Sequence, residues 1–354
     1  MAMDNILEKL NEEKLSRRTV LKIGIATGVG LAGLGVAGCT SPSPTVTPLA
    51  SPTVAATAAL KQGIPSGFMP TDHAAAIFVG DAKGIFTDHG LSLKLTQYSA
   101  GGAIMTQVGT GALDLGFSGV PPVISAIDNG VTTRIVAALQ GNGSGIVVGN
   151  NSGITQVTDL KGKKIAIPSK GSIQDIMLRQ LLQDNNINYD NDVTINNLPV
   201  GQMPGAVGAG TFDAAFTWEP YVSMTEMKGL GKVLIRSDKI MPNHPCCCVA
   251  STIDLINQYP DTLKAFFMAL KESTDFVISN PQETAQIISG QAYLNDEAAV
   301  EAAALPNVHF LAKPDEAYIS GTEKFAAEML TLGVTKKSHD RNDLFDLSLI
   351  NQVL

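Results

Sequence analysis

The sequence predicts an α/β protein of two related lobes, and three observations carry that prediction. A pattern recurs at a fixed offset, strand-length apolar runs alternate with helical stretches, and two breaks lie where the chain can cross between lobes. The first copy reads Gly111, Ala112, Leu113, Asp114, Leu115, Gly116, Phe117, Ser118, Gly119, Val120, Pro121. The second reads Gly210, Thr211, Phe212, Asp213, Ala214, Ala215, Phe216, Thr217, Trp218, Glu219, Pro220. The same offset of 99 residues pairs Gly102 with Gly201, Val108 with Val207, and Asp72-His73 with Gly171-Ser172. In each copy a helical stretch ends at Gly, a short apolar run follows, and Pro stands where the next helix begins, which makes an αβα unit. Ligands of open α/β sheets gather beyond the carboxyl ends of the strands, so Ser118-Gly119 and Thr217-Trp218-Glu219 become rim residues. The plainer alternative is a generic repeat whose rim residues are satisfied internally, although Trp and Glu are unusual in a tight buried turn.

The chain opens with Ser16, Arg17, Arg18, Thr19, Val20, Leu21, Lys22 and an apolar run from Ile23 to Gly38 that closes on Val36, Ala37, Gly38, Cys39. Paired arginines before a modest apolar segment mark export, and 16 apolar residues fall short of the ~20 that a spanning helix needs. Residues 1–39 are similar to the twin-arginine signal of a lipoprotein, which makes Cys39 the lipidated first mature residue and anchors the protein to the outer face of the cytoplasmic membrane. An ordinary N-terminal helix is the alternative. Residues 40–57 are uncharged and rich in Thr, Ser, Pro, Val and Ala, as a tether is. Without its first 38 residues the chain keeps about 300, enough for two lobes with cores. Its formal charge then moves from −8 to −9. An acidic body without a basic patch argues against nucleic acid or a broad anionic surface as partner.

The elements follow in order. A strand over residues 58–67 leads to a helix from Ala74 to Lys83, with Asp72 as N-cap and Gly84 as its stop. Leu91, Leu93 and Leu95 alternate as in a strand, and Ser99-Ala100-Gly101-Gly102 opens the helix that ends at Gly111. After the first copy, Arg134 to Leu139 reads as a strand, and the Gly/Asn/Ser-rich loop from Gln140 to Gly145 is a crossing. Lobe I is therefore expected over 58–139 and 250–354, and lobe II over 140–249. In lobe II, Ile165 to Ile167 form a strand, Pro168-Ser169-Lys170-Gly171-Ser172 follow, and Ser172 with Asp175 gives a capping-box signal. The helix terminus, Gly171 and Lys170 together suit an anionic group, while a well-capped helix with no ligand explains the same residues. Pro260 begins a long helix whose Leu263, Phe266, Phe267, Leu270, Thr274 and Val277 form a core face. Residues 281–332 read as further helices with a weaker tail to Leu354.

Cys246-Cys247-Cys248 in a strand point alternately, so Cys246 and Cys248 share one face and the three cannot meet one metal without a bend. Their spacing is poor for zinc and for a mutual disulfide. Small buried residues, ligand contacts, and metal or redox chemistry are the three readings, taken in that order, and no metal or cofactor is expected. His73 faces a cleft or is an amide-capped surface residue, whereas His309 and His339 carry no argument. No nucleophile triad spacing, HExxH or phosphate loop is present, so no catalytic residue is assigned.

From about Ile64 to Gly333 the chain resembles the solute-binding proteins of ABC importers for nitrate, sulfonates, taurine and pyrimidines, the NMT1/THI5-like superfamily. The likeness rests on Asp72-His73-Ala74, Lys83-Gly84-Ile85-Phe86, Gly111 to Phe117, Asp159 to Lys164, Trp218-Glu219-Pro220 and His244-Pro245-Cys246-Cys247. It implies a type II periplasmic-binding-protein fold: two lobes, each a mixed sheet flanked by helices, joined by two crossover segments and closing on a small anionic solute. A permease and its ATPase are the implied partners. The cleft would be lined by His73, Gly102, Ser118, Lys170, Gly171, Ser172, Trp218, Glu219, Cys246 and Cys247. The alternatives are binding of a pyrimidine or thiamine precursor, a pyrimidine-synthase-like enzyme with a cysteine-bound metal, and a lipoprotein that senses instead of delivering. The superfamily's fungal enzymes continue the cysteine motif with Phe and Cys, where this chain has Val249 and Ala250.

Overall fold

A computed structural model describes residues 59–354, so the expected signal with Cys39 and the tether over 40–57 lie outside the described residues. The chain lays down β1 (Ile64–Phe68), β2 (Leu93–Gln97), β3 (Leu115–Gly119) and β4 (Thr133–Asn142), then β5 (Ser144–Gly149), β6 (Lys164–Ile167), β7 (Thr194–Asn197), β8 (Ala214–Trp218) and β9 (Gly231–Arg236). It finishes its strands with β10 (Pro245–Thr252) and β11 (Val308–Phe310). These form two sheets, ordered β11-β4-β10-β3-β1-β2 and β7-β6-β8-β5-β9.

Duplication explains the two sheets together. β1 to β4 start at residues 64, 93, 115 and 133, and β6 to β9 at 164, 194, 214 and 231, so the 99-residue offset holds within two residues at every strand. Each sheet has an internal strand that runs against its neighbours: β10 is antiparallel to β3 and β4, and β5 is antiparallel to β8 and β9, while edge strand β11 is also antiparallel to β4. Each sheet is thus mixed, with one strand entering from the side of the other lobe. The central β3 is buried throughout, whereas edge strands β2 and β7 keep exposed residues. That contrast is what covering a parallel core on both faces requires.

The helices that matter for the cleft are α1 (Ala75–Ala82), α2 (Gly101–Gly109), α3 (Val120–Asp128), α4 (Ile173–Asp184), α5 (Met203–Gly208) and α6 (Tyr221–Met227). Lobe I is covered by α7 (Pro260–Ser279), α8 (Pro281–Ile288), α9 (Ala298–Ala304) and α10 (Glu316–Thr331). On α7 the expected face is buried, and the Phe266 ring stacks between Phe86 and Phe117 at centroid distances of 5.7 and 6.2 Å. The segment read as a weak tail packs on lobe I, with Leu344 and Ile350 fully buried and Phe345 bridged to Ile135. No helix among the described residues is long and apolar enough to cross a membrane.

Three local expectations are corrected. Thr71, not Asp72, caps the turn ahead of α1, its hydroxyl accepting from the His73 amide at 3.4 Å, and Asp72 to Ala74 form a 3-10 turn. The Gln140–Gly145 stretch is not a loop, because pairing with β10 and β11 carries β4 on to Asn142 and only Gly143 separates it from β5. The expected boundaries at 139/140 and 249/250 therefore fall inside β4 and β10, and all three consecutive cysteines belong to the lobe I sheet. The chain crosses once at Gly143, whose φ of 79° suits glycine, and once over residues 237–244. The crossings are tied where the Ser144 amide donates to Ser237 Oγ at 3.1 Å.

Candidate functional site

A cavity of about 750 Å³ lies between the lobes. Its walls include the segments just after β1, β2, β3, β6 and β7 and the last residue of β8, which is the rim that strand direction assigns to a ligand in such sheets. His73, Gly102, Lys170, Gly171, Ser172, Trp218, Cys246 and Cys247 all line it. Ser118 and Glu219 do not. Ser118 is fully buried, its hydroxyl turned toward Gly101 and without a hydrogen-bond partner, and the cavity wall at this strand end is Gly119. Strand alternation places Trp218 on the cavity and turns Glu219 behind it.

Glu219 is an anchor. Its carboxylate accepts from Arg236 at 2.7 Å, from the Ser223 amide and hydroxyl at 2.8 and 3.0 Å, and from Asn307 Nδ2 at 2.9 Å. Burial pushes its pKa upward against the pull of these donors. Asn307 belongs to lobe I, so this carboxylate also ties the lobes together.

On the lobe II wall, Ser172 caps α4, with its Oγ accepting from the Asp175 amide at 3.2 Å. Asp175 turns back to accept from the Gly171 amide at 2.8 Å, so that amide, expected to meet a ligand, is occupied by the protein. Gly171 has φ of 77°, and a Cβ there would come within 3.1 Å of Val334. Exposed Lys170 forms no ion pair among the described residues.

The floor is polar and buried. His73 Nδ1 lies 3.6 Å from Cys246 Sγ and 3.8 Å from Cys247 Sγ, and the two sulfurs are 4.0 Å apart. Alternation along a regular strand would separate Cys246 from Cys247. Register shifts against β4 on both sides of Cys247 supply the bend that brings their sulfurs together, while Cys248 turns to the Ser118 carbonyl at 3.5 Å. The Cys247 thiol donating to Cys246, opposed by burial and aided by His73, holds the Cys246 thiol well below its usual range. Cys247 keeps its proton, pushed up by that same bond. Burial would lower His73, but the Cys246 and Asp72 charges outweigh it and raise it to about 9. Burial raises Asp72 to about 7. Three lining or floor residues carried no assignment from sequence. Gln140 pairs with Cys247 across β4 and β10 and is fully buried, Gln174 donates to Ser144 Oγ at 2.9 Å, and Val334 arrives from beyond α10. A Gln closing an apolar strand was the one available signal.

Residues 58–289 match the model of the NMT1-like family. The chain belongs to that family. The NMT1-like chain is 25% identical over 256 residues to the nitrate/nitrite binding protein NrtA of Nostoc sp., covering 66% of this chain and 58% of the relative. It is 25% identical over 257 residues to the bicarbonate-binding protein CmpA of Synechococcus elongatus, covering 65% and 57%. It thus spans under three fifths of the length of these curated relatives. The crystal structure of the periplasmic aliphatic sulphonate binding protein SsuA from Escherichia coli superposes with a TM-score of 0.71 at 19% identity, over 80% of this chain and 92% of that one. The NMT1-like chain therefore has the two-lobed, type II periplasmic-binding-protein fold, and its relatives are solute-binding proteins.

Proposed function

We propose that this NMT1-like protein is the solute-binding component of an ABC importer. Anchored outside the cytoplasmic membrane by lipid on Cys39, it takes up an organic oxyanion of the sulfonate class between its lobes and delivers it to a permease driven by an ATPase. It is a carrier and not an enzyme. The observation that carries this reading is the interlobe cavity itself: about 750 Å³, mostly apolar, with Lys170 among its lining residues. That volume falls in the range of organic ligand sites, ~300–1,000 Å³, and far exceeds what nitrate or bicarbonate fills. An apolar body carrying one oxyanion matches a mostly apolar wall with one free ammonium. Trp218 at the cavity supports a second reading, a pyrimidine-like heterocycle stacked on the indole.

A thermal-shift screen of alkanesulfonates, taurine, nitrate and pyrimidines tests both. A sulfonate at 100 times its dissociation constant should add ~2.7 kcal/mol, and Lys170→Ala should remove most of that gain. A shift with pyrimidines alone would transfer the assignment to the second reading. Sulfonate shifts unchanged by Lys170→Ala would refute the role given to the ammonium.

A further inference from the structure

His73, Cys246 and Cys247 are, among the described residues, the one group of three or more metal-ligating side chains whose donor atoms all lie within 4.8 Å of one another. We propose that this floor binds a thiophilic d10 cation such as Zn²⁺ through His73 Nδ1 and the two sulfurs, with a fourth coordination position facing the solute cavity.

The triangle of donors has the right edges. Bonds of ~2.3 Å to sulfur and ~2.0 Å to imidazole nitrogen, at angles between tetrahedral and trigonal, put sulfur and sulfur about 3.8–4.0 Å apart and sulfur and nitrogen about 3.5–3.8 Å apart. The observed edges are 4.0, 3.6 and 3.8 Å. Two soft sulfurs and one imidazole select zinc or copper(I) over calcium or magnesium, which want oxygen. Three protein ligands leave one position, and since all three residues line the cavity, that position opens toward a solute.

The surroundings complete the argument. Behind the imidazole, buried His73 Nε2 has no hydrogen-bond partner, and the Asp72 carboxylate lies 3.7 Å away, near enough to attract the ring electrostatically. Beside Cys247, the Gln140 side chain is fully buried with both its amide atoms unpartnered. Buried polar groups do not ordinarily stand alone, and a thiolate held by a cation gives the Gln140 amide an acceptor. Cys248, occupied with the Ser118 carbonyl, lies outside the set.

The experiment needs no solute, so its outcome is independent of what the protein transports. The reduced, metal-stripped full chain is titrated with Co²⁺ and followed by absorption. One equivalent should produce a thiolate-to-cobalt charge-transfer band together with the visible bands of four-coordinate cobalt, and one equivalent of Zn²⁺ should abolish both. Cys246→Ser and Cys247→Ser should each weaken binding about 100-fold or more, and Gln140→Leu about tenfold. Cys248→Ala should leave the spectrum unchanged. Thermal unfolding of each metal-free variant shows that it is folded, and His73→Gln serves in place of any that is not. Absence of a charge-transfer band in the wild-type chain, or its loss in Cys248→Ala with retention in folded Cys246→Ser, overturns the proposal.

Discussion

Trp218 and Glu219 are sequence neighbours that face opposite ways, and their substitutions should separate binding from stability. The Glu219 carboxylate is fully buried and answers Arg236, Ser223 and Asn307. Glu219→Ala leaves a guanidinium and an amide without their acceptor and should cost about 3 kcal/mol, read as a lower urea midpoint at unchanged slope. Trp218→Ala removes a ring that borders the cavity and should weaken solute binding while the midpoint moves less. A Glu219→Ala protein of wild-type stability would show that the anchoring assignment is wrong. Sequence pointed to the strand end but not to the direction of each side chain there, which depends on pleat phase. The cysteines show the same limit more sharply, because the bulges that bring Cys246 and Cys247 together are set by pairing with β4, over 100 residues earlier.

At the scale of elements, α3 and the C-terminal segment are held by one carboxylate. Asp128, in the last turn of α3, accepts from the amides of Lys336 and Lys337 and from His339 Nε2 at 3.0–3.1 Å. Burial alone would raise its pKa, but His339 and the two amides outweigh burial and hold it below the usual carboxylate value of 3.8. A group depressed in the folded state stabilises above its unfolded pKa, and that contribution is lost as pH falls through the folded value. Wild-type stability should therefore drop below about pH 4, and Asp128→Asn should be less stable at pH 6 and flatter between pH 4 and pH 2.5 in urea unfolding series. Equal slopes for the two proteins in that window would count against this role. His339, which carried no argument in sequence, gains its place because the segment read as a tail folds back onto lobe I. The long helix α7 was legible because its apolar positions repeat at helical spacing, a local signal. The docking of residues 335–354 depends on distant partners and left no such trace.

For the whole molecule, duplication was visible because a constant offset survives in the residues themselves, at Gly111 and Gly210 and at Asp114 and Asp213. The lobe boundaries were not visible, since Gln140, Gly141 and Asn142 have loop composition and belong to β4 only through pairing with β10 and β11. Those boundaries matter because lobe closure, the motion proposed for solute capture, must bend the crossings and make or break contacts beyond them. The Asn307–Glu219 bond is such a contact: it joins the lobes and neither residue lines the cavity. A hydrogen bond to a charged group contributes about 1.5 kcal/mol, roughly tenfold in the ratio of closed to open forms. Asn307→Ala should therefore weaken every solute alike by up to about tenfold, whereas Lys170→Ala should weaken only anionic ones. Calorimetric titration of a sulfonate and a pyrimidine into each variant distinguishes the two patterns, and small-angle scattering of solute-free Asn307→Ala should show a larger radius of gyration. Unchanged affinities and an unchanged radius would mean that the bond does not govern closure, leaving the two crossings, tied at Ser144 and Ser237, as the elements that do.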